Sequence, residues 1–177
     1  MDDIVKQAMV KWPNVPDCRG WLGLDARGNW YLRDDAAQRS GAFASGKAGA
    51  KGSRLEHAGL IGFIQRNYAC DEKGQWYFQN GPQRVFVELE ATPWIWRIDA
   101  TRQIAAHDGQ ATEYQRCLMD DNGWVYLQTT LGFGLVHTQD VGQLASAIET
   151  LGWTVEEIRR EQLPEQFGFV QSPAAAV

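Results

Sequence analysis

Asp25-Ala-Arg-Gly28-Asn-Trp30-Tyr31-Leu32 returns as Asp71-Glu-Lys-Gly74-Gln-Trp76-Tyr77-Phe78, and in looser form as Asp120-Asp-Asn-Gly123-Trp-Val125-Tyr126-Leu127. The shared pattern, D-x-x-G-x-[WV]-Y-[LF], describes the bend of a β-hairpin. An Asp side chain bonds the backbone ahead of it, Gly takes the positive-φ position, and an aromatic strand follows. Alternation along the strand sends Trp30 and Trp76 to one face and Tyr31 and Tyr77 to the other. The lengths between the copies do not align, so we read three recurring hairpins rather than a strict repeat.

Helices are expected between the hairpins. Ser53-Arg-Leu-Glu56 has the form of a capping box, and Leu55, Ala58, Ile61, Ile64 and Tyr68 make an apolar stripe, which predicts a helix over 54–68. A second is predicted from about Thr138 to Leu151, ended by Gly152. A short one over 3–11 stops before Pro13. Residues 153–165 read equally well as a capped helix or a strand. Arg84–Glu90 and Trp94–Ile98 read as two strands joined by a turn at 91–93, with Glu88 opposite Arg97. That register gathers Val85, Val87, Leu89, Trp94, Trp96 and Ile98 on one face, and leaves Phe86, Glu88, Glu90, Ile95, Arg97 and Asp99 on the other, read as a solvated sheet face or the floor of a polar groove.

The predicted class is α+β, with two small domains built from antiparallel hairpins, each packed by a helix. The expected division near residues 100–111 gives an N-terminal domain over 1–100 and a C-terminal one over 101–177. The Gly/Ala/Lys-rich stretch 34–52 reads as a mobile loop, because it carries too little apolar area to offset chain entropy.

The chain has 177 residues and a formal charge of −5, with 44% hydrophobic residues. Scaling with mass lets about 70% of the unfolded surface be buried, enough for one full core or two small ones. Residues 1–55 hold nine Lys/Arg and six Asp/Glu, against eight and sixteen in the remainder. No basic footprint for nucleic acid and no apolar run of membrane-spanning length is present, and the start is acidic where a secretory leader would be basic. Cys18, Cys70 and Cys117 are odd in number and widely spaced, which suits reduced thiols in a cytoplasmic protein.

Motifs with known chemistry are incomplete. Gly41-Ala-Phe-Ala-Ser-Gly46-Lys47 has phosphate-loop spacing, but Ala48 stands where a hydroxyl should hold magnesium, and no buried strand precedes it. His57, His107 and His137 lack metal-ligand spacing, and nothing marks a cysteine as activated. No catalytic residue, metal or cofactor is therefore assigned. The aromatic content, eight Trp, five Tyr and seven Phe, is read mainly as core filling. A remainder is assigned to an inter-domain groove, with Tyr31, Arg33, Tyr77, Glu88, Glu90 and Arg97 as ligand-binding candidates.

The runs Gly20-Trp-Leu-Gly-Leu-Asp-Ala-Arg-Gly-Asn-Trp-Tyr, Ile61-Gly-Phe-Ile-Gln-Arg-Asn-Tyr, Gly74-Gln-Trp-Tyr-Phe-Gln-Asn-Gly-Pro-Gln-Arg-Val and Ala91-Thr-Pro-Trp resemble a family of uncharacterised proteobacterial proteins of similar length. The order of elements is more distantly similar to a second uncharacterised bacterial family. That likeness implies two small α+β domains with repeated motifs and a suggested role in signal transduction, and neither family brings catalytic residues. The function expected is a non-catalytic binding or regulatory module for a small molecule or protein, without nucleic acid or membrane. The alternatives are a small hydrolase using Glu88, Glu90 and Asp99 on an exposed sheet face, and a saccharide-binding module using surface Trp.

Overall fold

The structure, a computed structural model, describes residues 1–176. Its elements in chain order are α1 (Asp3–Lys11), β1 (Cys18–Leu24), β2 (Trp30–Leu32), α2 (Asp35–Ser40), β3 (Ser53–Arg54), α3 (Ala58–Arg66), β4 (Tyr68–Cys70), β5 (Trp76–Asn80) and β6 (Gln83–Leu89). There follow β7 (Trp94–Ile98), β8 (Ile104–Ala106), β9 (Ala111–Thr112), β10 (Tyr114–Asp120), β11 (Val125–Thr129), β12 (Gly132–Val136), α4 (Val141–Leu151), β13 (Val155–Ile158) and α5 (Leu163–Phe167). The class is α+β, with a six-stranded and a seven-stranded sheet.

Two compact units form. One holds Met1–Asp25, Asn29–Glu90 and Phe169 onward; the other holds Ala26–Gly28 and Ala91–Gly168. The passage from one sheet to the next thus falls between Glu90 and Ala91, ahead of the 100–111 expected from sequence, and the closing residues return to the first unit. Both sheets use one topology. In the first, the order is β3-β2-β1-β6-β5-β4, with β1 and β6 parallel and every other neighbour antiparallel. The second repeats it as β9-β8-β7-β12-β11-β10, again with a parallel central pair, β7 and β12, and adds β13 parallel to β10 at the edge.

Corresponding hairpins share one turn. At Asp25, Asp71, Asp99 and Asp120 the carboxylate accepts the amide four residues ahead (Asn29, Gln75, Gln103, Trp124) at 2.8 to 3.0 Å. The Asp amide donates back to that residue's carbonyl at 2.9 to 3.1 Å. The fourth residue of each turn is left-handed: Gly28, Gly74, Arg102 and Gly123, at φ 81°, 77°, 66° and 77°. Three of these turns carry the sequence pattern. The fourth, Asp99-Ala-Thr-Arg102-Gln103, escaped it because Arg stands where Gly is expected. Facing also follows the alternation, since Trp30 and Trp76 both pack on Tyr68 (centroids 5.3 and 4.7 Å).

Four local expectations are corrected. β6 and β7 do not pair with each other; β6 joins β1 and β5, and β7 joins β12 and β8. One-sided burial fails here, because Val85 through Leu89 are all buried, as in a central strand covered on both faces. Thr92 fixes the start of the second sheet by donating to the Trp94 carbonyl and accepting the Leu135 amide. The helix expected over 54–68 starts only at Ala58, since Ser53 and Arg54 are claimed by pairing with Leu32 and Tyr31, and His57 Nδ1 caps it through the Leu60 amide. Segment 34–52 is built rather than featureless. Asp34 caps α2, Phe43 and Ala50 are buried, and the Arg33 guanidinium reaches the carbonyls of Gly20, Ala37, Gly41 and Ala50. Four carbonyl acceptors on one buried cation hold a stretch that has few apolar side chains of its own. Residues 155–158, open from sequence, form a strand.

Left-handed backbone costs a residue with a Cβ about 1 to 2 kcal/mol, partly offset by the greater chain entropy of glycine in the unfolded state. Arg102→Gly should therefore raise the unfolding free energy by about 0.5 to 1 kcal/mol. Gly123→Ala, whose added Cβ meets nothing within 4 Å, should lower it by a similar amount. Urea unfolding of the two variants checks both signs.

Candidate functional site

The residues singled out from sequence separate by unit. Tyr31, Gly23 and Glu88 lie in register across β2, β1 and β6, and Tyr77 faces Phe86 two residues from Glu88. Alternation therefore puts Tyr31, Tyr77 and Glu88 on one face. That face is not open. Phe43 lies so close over Gly23 that a Cβ there would come within 2.5 Å of its ring. Glu88, 3% exposed, accepts the Ser172 hydroxyl at 2.5 Å and the Ala174 amide at 3.0 Å. The exposed polar face expected for Glu88 is corrected on this point, because the chain's own closing segment covers it.

Arg33 is buried among carbonyls, as described. Burial lowers its pKa from the ordinary guanidinium value, and the Glu88 charge opposes that shift. Glu90 pairs with Lys51 at 2.7 Å, and Lys51 also stands over the Tyr31 ring, 5.7 Å from its centroid. All these charges are engaged within the unit, Glu88 and Glu90 included. Arg97 belongs to the second unit. It holds Asp140 through two bonds, Nε at 2.5 Å and Nη2 at 3.1 Å, and the same carboxylate accepts the Ile98 amide at 3.1 Å. Burial alone would raise the Asp140 pKa, but bonds from Arg97 and Ile98, with the charges of Arg97 and His137, hold it below the usual 3.8.

Histidines and cysteines serve structure. His57 and His137 accept backbone amides at helix entries through Nδ1. His107 lies in the turn after β8, where it accepts the Ile95 amide at 3.3 Å and packs its ring near Trp94. Burial pushes the Cys70 and Cys117 thiols up to about 11, with Asp71 and Glu156 adding to it. Such thiols are poor nucleophiles at neutral pH. Among the described residues no group of three or more His, Cys, Asp or Glu could hold a metal ion. No described helix is long and apolar enough to cross a membrane.

The second unit contains an open cavity of about 620 Å³ that the sequence reading missed. Its lining includes Arg102 in the β7–β8 turn, Glu113 and Tyr114 at the start of β10, Thr112, Thr130 and Trp153. Tyr114 and Trp153 stack with centroids 3.8 Å apart and planes 4° from parallel. Burial, with Cys117 and Glu156 nearby, pushes the Tyr114 hydroxyl up, which keeps it a donor at neutral pH. Thr112 and Thr130 bond each other at 3.0 Å and take up the Leu131 and Glu113 amides. Neither the Arg102 guanidinium nor the Glu113 carboxylate is bonded or ion-paired to another described residue. Trp153 arrives here because Gly152 ends α4 in the left-handed region. The available signal was Arg at a turn position that is Gly in the other three hairpins.

Comparison with known proteins gives a family and little else. Residues 1–174 match the DUF2944 family, whose description reads "Protein of unknown function (DUF2946)". No curated protein matches. Among solved structures, the chain is similar to the crystal structure of a DUF1285 family protein from Silicibacter pomeroyi DSS-3. Identity is 12%, the alignment covers 75% of this chain and 72% of that one, and the TM-score is 0.48.

Because the folded pKa of Asp140 is depressed, the stability it contributes is present above about pH 3.8 and is lost as pH falls through its lower folded value. Asp140→Asn should cost about 1 to 2 kcal/mol at pH 6, at the lower end for charged hydrogen bonds because the Arg97 side chain is half exposed. Urea midpoints of the two proteins should converge as pH drops below 3.8. A gap that persists unchanged at pH 2.5 would contradict the assignment.

Proposed function

We propose that this chain, which belongs to the DUF2944 family of proteins of unknown function, is a non-catalytic binding module whose second unit takes a small amphoteric molecule, one bearing both a carboxylate and an ammonium group. The observation that supports this reading is Arg102. It is the one non-glycine residue with positive φ among the described residues, and it lines the cavity that also holds Glu113 and the Tyr114–Trp153 stack. Strained backbone of this kind concentrates at functional positions. Here the strain sets a cation where three equivalent turns carry no side chain.

The ligand class follows from the lining. Uncommitted Arg102 suits a carboxylate, since a guanidinium forms paired bonds to both oxygens. Uncommitted Glu113 suits an ammonium group. The stacked rings offer flat apolar area to the remainder, and 620 Å³ lies within the usual size of small-molecule sites. Engaged carboxylates and high thiol pKa values elsewhere leave recognition as the better-supported activity, and occupancy of the cavity would be the regulatory signal.

Titration of the intact chain with a panel of zwitterionic amino acids, followed by Trp fluorescence and calorimetry, tests this. Saturable binding is expected for at least one member, weakened at least tenfold, about 1.4 kcal/mol, by Arg102→Gly and by Glu113→Gln. Arg102→Gly should lose binding while gaining stability. Binding that survives both substitutions, or no binding across the panel, would count against the reading.

A further inference from the structure

The segment from Phe169 to Ala176 contributes little apolar area beyond Phe169 and Pro173, and residues 174–176 are exposed. It is nevertheless held to the first unit by a full set of directional bonds. Val170 donates its amide to the Gly74 carbonyl at 2.9 Å, and the Leu89 amide donates to the Gln171 carbonyl at 2.9 Å. The Gln171 side-chain amide reaches the Glu90 carbonyl at 3.0 Å. Ser172 and Ala174 give the two donors that Glu88 accepts. Arg19 donates to the Pro173 carbonyl at 3.2 Å while lying 3.8 Å over the Phe86 ring and bonding Gln75 at 2.7 Å.

A carboxylate as buried as Glu88 is costly unless its bonds are made, and among the described residues both donors to its oxygens come from this segment. The segment reads as a bound peptide. Its backbone and one hydroxyl are recognised by Glu88, Arg19 and strand-end backbone groups, and the pattern needs a small hydroxyl residue, a proline and a free amide in a turn that the Ala175 amide closes on the Ser172 carbonyl at 3.1 Å. Gly168, just before it, is left-handed at φ 64° with open space around its α-carbon, so the segment follows a residue whose conformational freedom suits a hinge.

We propose that the strip formed by Arg19, Glu88, Leu89 and Glu90 is an exchangeable peptide-binding site, filled at rest by the chain's own residues 170–174 and able to take the same segment from a second copy. Exchange of an identical segment conserves every one of these bonds, the low-cost route by which protomers swap elements. Tethering gives the chain's own segment a high effective concentration, so exchange becomes visible only when that segment is loosened.

A fluorescent synthetic peptide matching residues 169–176 is titrated into the full-length protein by anisotropy. Ala174→Pro in the protein removes the amide donated to Glu88 at an exposed position, leaving the core untouched. The peptide should bind this variant at least tenfold more tightly than wild type, and adding Glu88→Gln should reverse the gain. A peptide carrying Ser172→Ala, which leaves the protein unaltered, should bind at least tenfold more weakly. At about 100 µM, sedimentation of the Ala174→Pro variant mixed with wild type should reveal a two-chain species. Peptide binding that ignores both Glu88→Gln and Ser172→Ala, an Ala174→Pro variant that binds no peptide, or a mixture that stays monomeric would each overturn the proposal. None of these readouts involves the second-unit cavity.

Discussion

An aspartate carboxylate bonded to the backbone amide four residues ahead is the contact on which this architecture rests. It closes the bend of a hairpin with groups only four residues apart, and it fixes which residues face each other across the two strands. Used at Asp25, Asp71, Asp99 and Asp120, it starts each of the four ribbons from which the sheets are assembled. With those registers set, burial can select the rest. The parallel centre of each sheet, β1 with β6 and β7 with β12, unites two ribbons that are distant in sequence.

Much of this was legible in the residues. The turn pattern, the facing of Trp30 and Trp76, the helix ended by Gly152 and the α+β class all follow from local chemistry. What escaped depends on non-local partners. Nothing in Ser53–Glu56 says that β2 will claim Ser53 and Arg54 and push the helix start to Ala58. The alternation in 84–98 is equally compatible with a hairpin and with two central strands in different sheets, and only burial of Glu88 on the supposedly polar face decides between them. Segment 34–52 looked structureless because the residue that organises it, Arg33, lies outside it and acts through carbonyls that no side-chain pattern reveals.

The same distinction governs the site. Of the aromatic and charged residues singled out as ligand-binding candidates, most of the charged ones are spent on the chain itself: Arg33 on carbonyls, Glu90 on Lys51, Glu88 on residues 172 and 174, and Arg97 on Asp140. Charge that remains uncommitted is found where the turn pattern breaks, at Arg102, with Glu113 and the Tyr114–Trp153 stack lining the same cavity. The proposed function rests on this departure from a structural rule, which is expected where a site accepts local strain.

Amide hydrogen exchange read by NMR tests the central claim most directly. If four equivalent aspartate turns organise the hairpins, the amides of Asn29, Gln75, Gln103 and Trp124 all exchange as slowly as neighbouring strand amides at neutral pH. A Gln103 amide that exchanges at the rate of an open loop, while the other three are protected, would show that the fourth turn is not formed and that the second sheet begins by some other means.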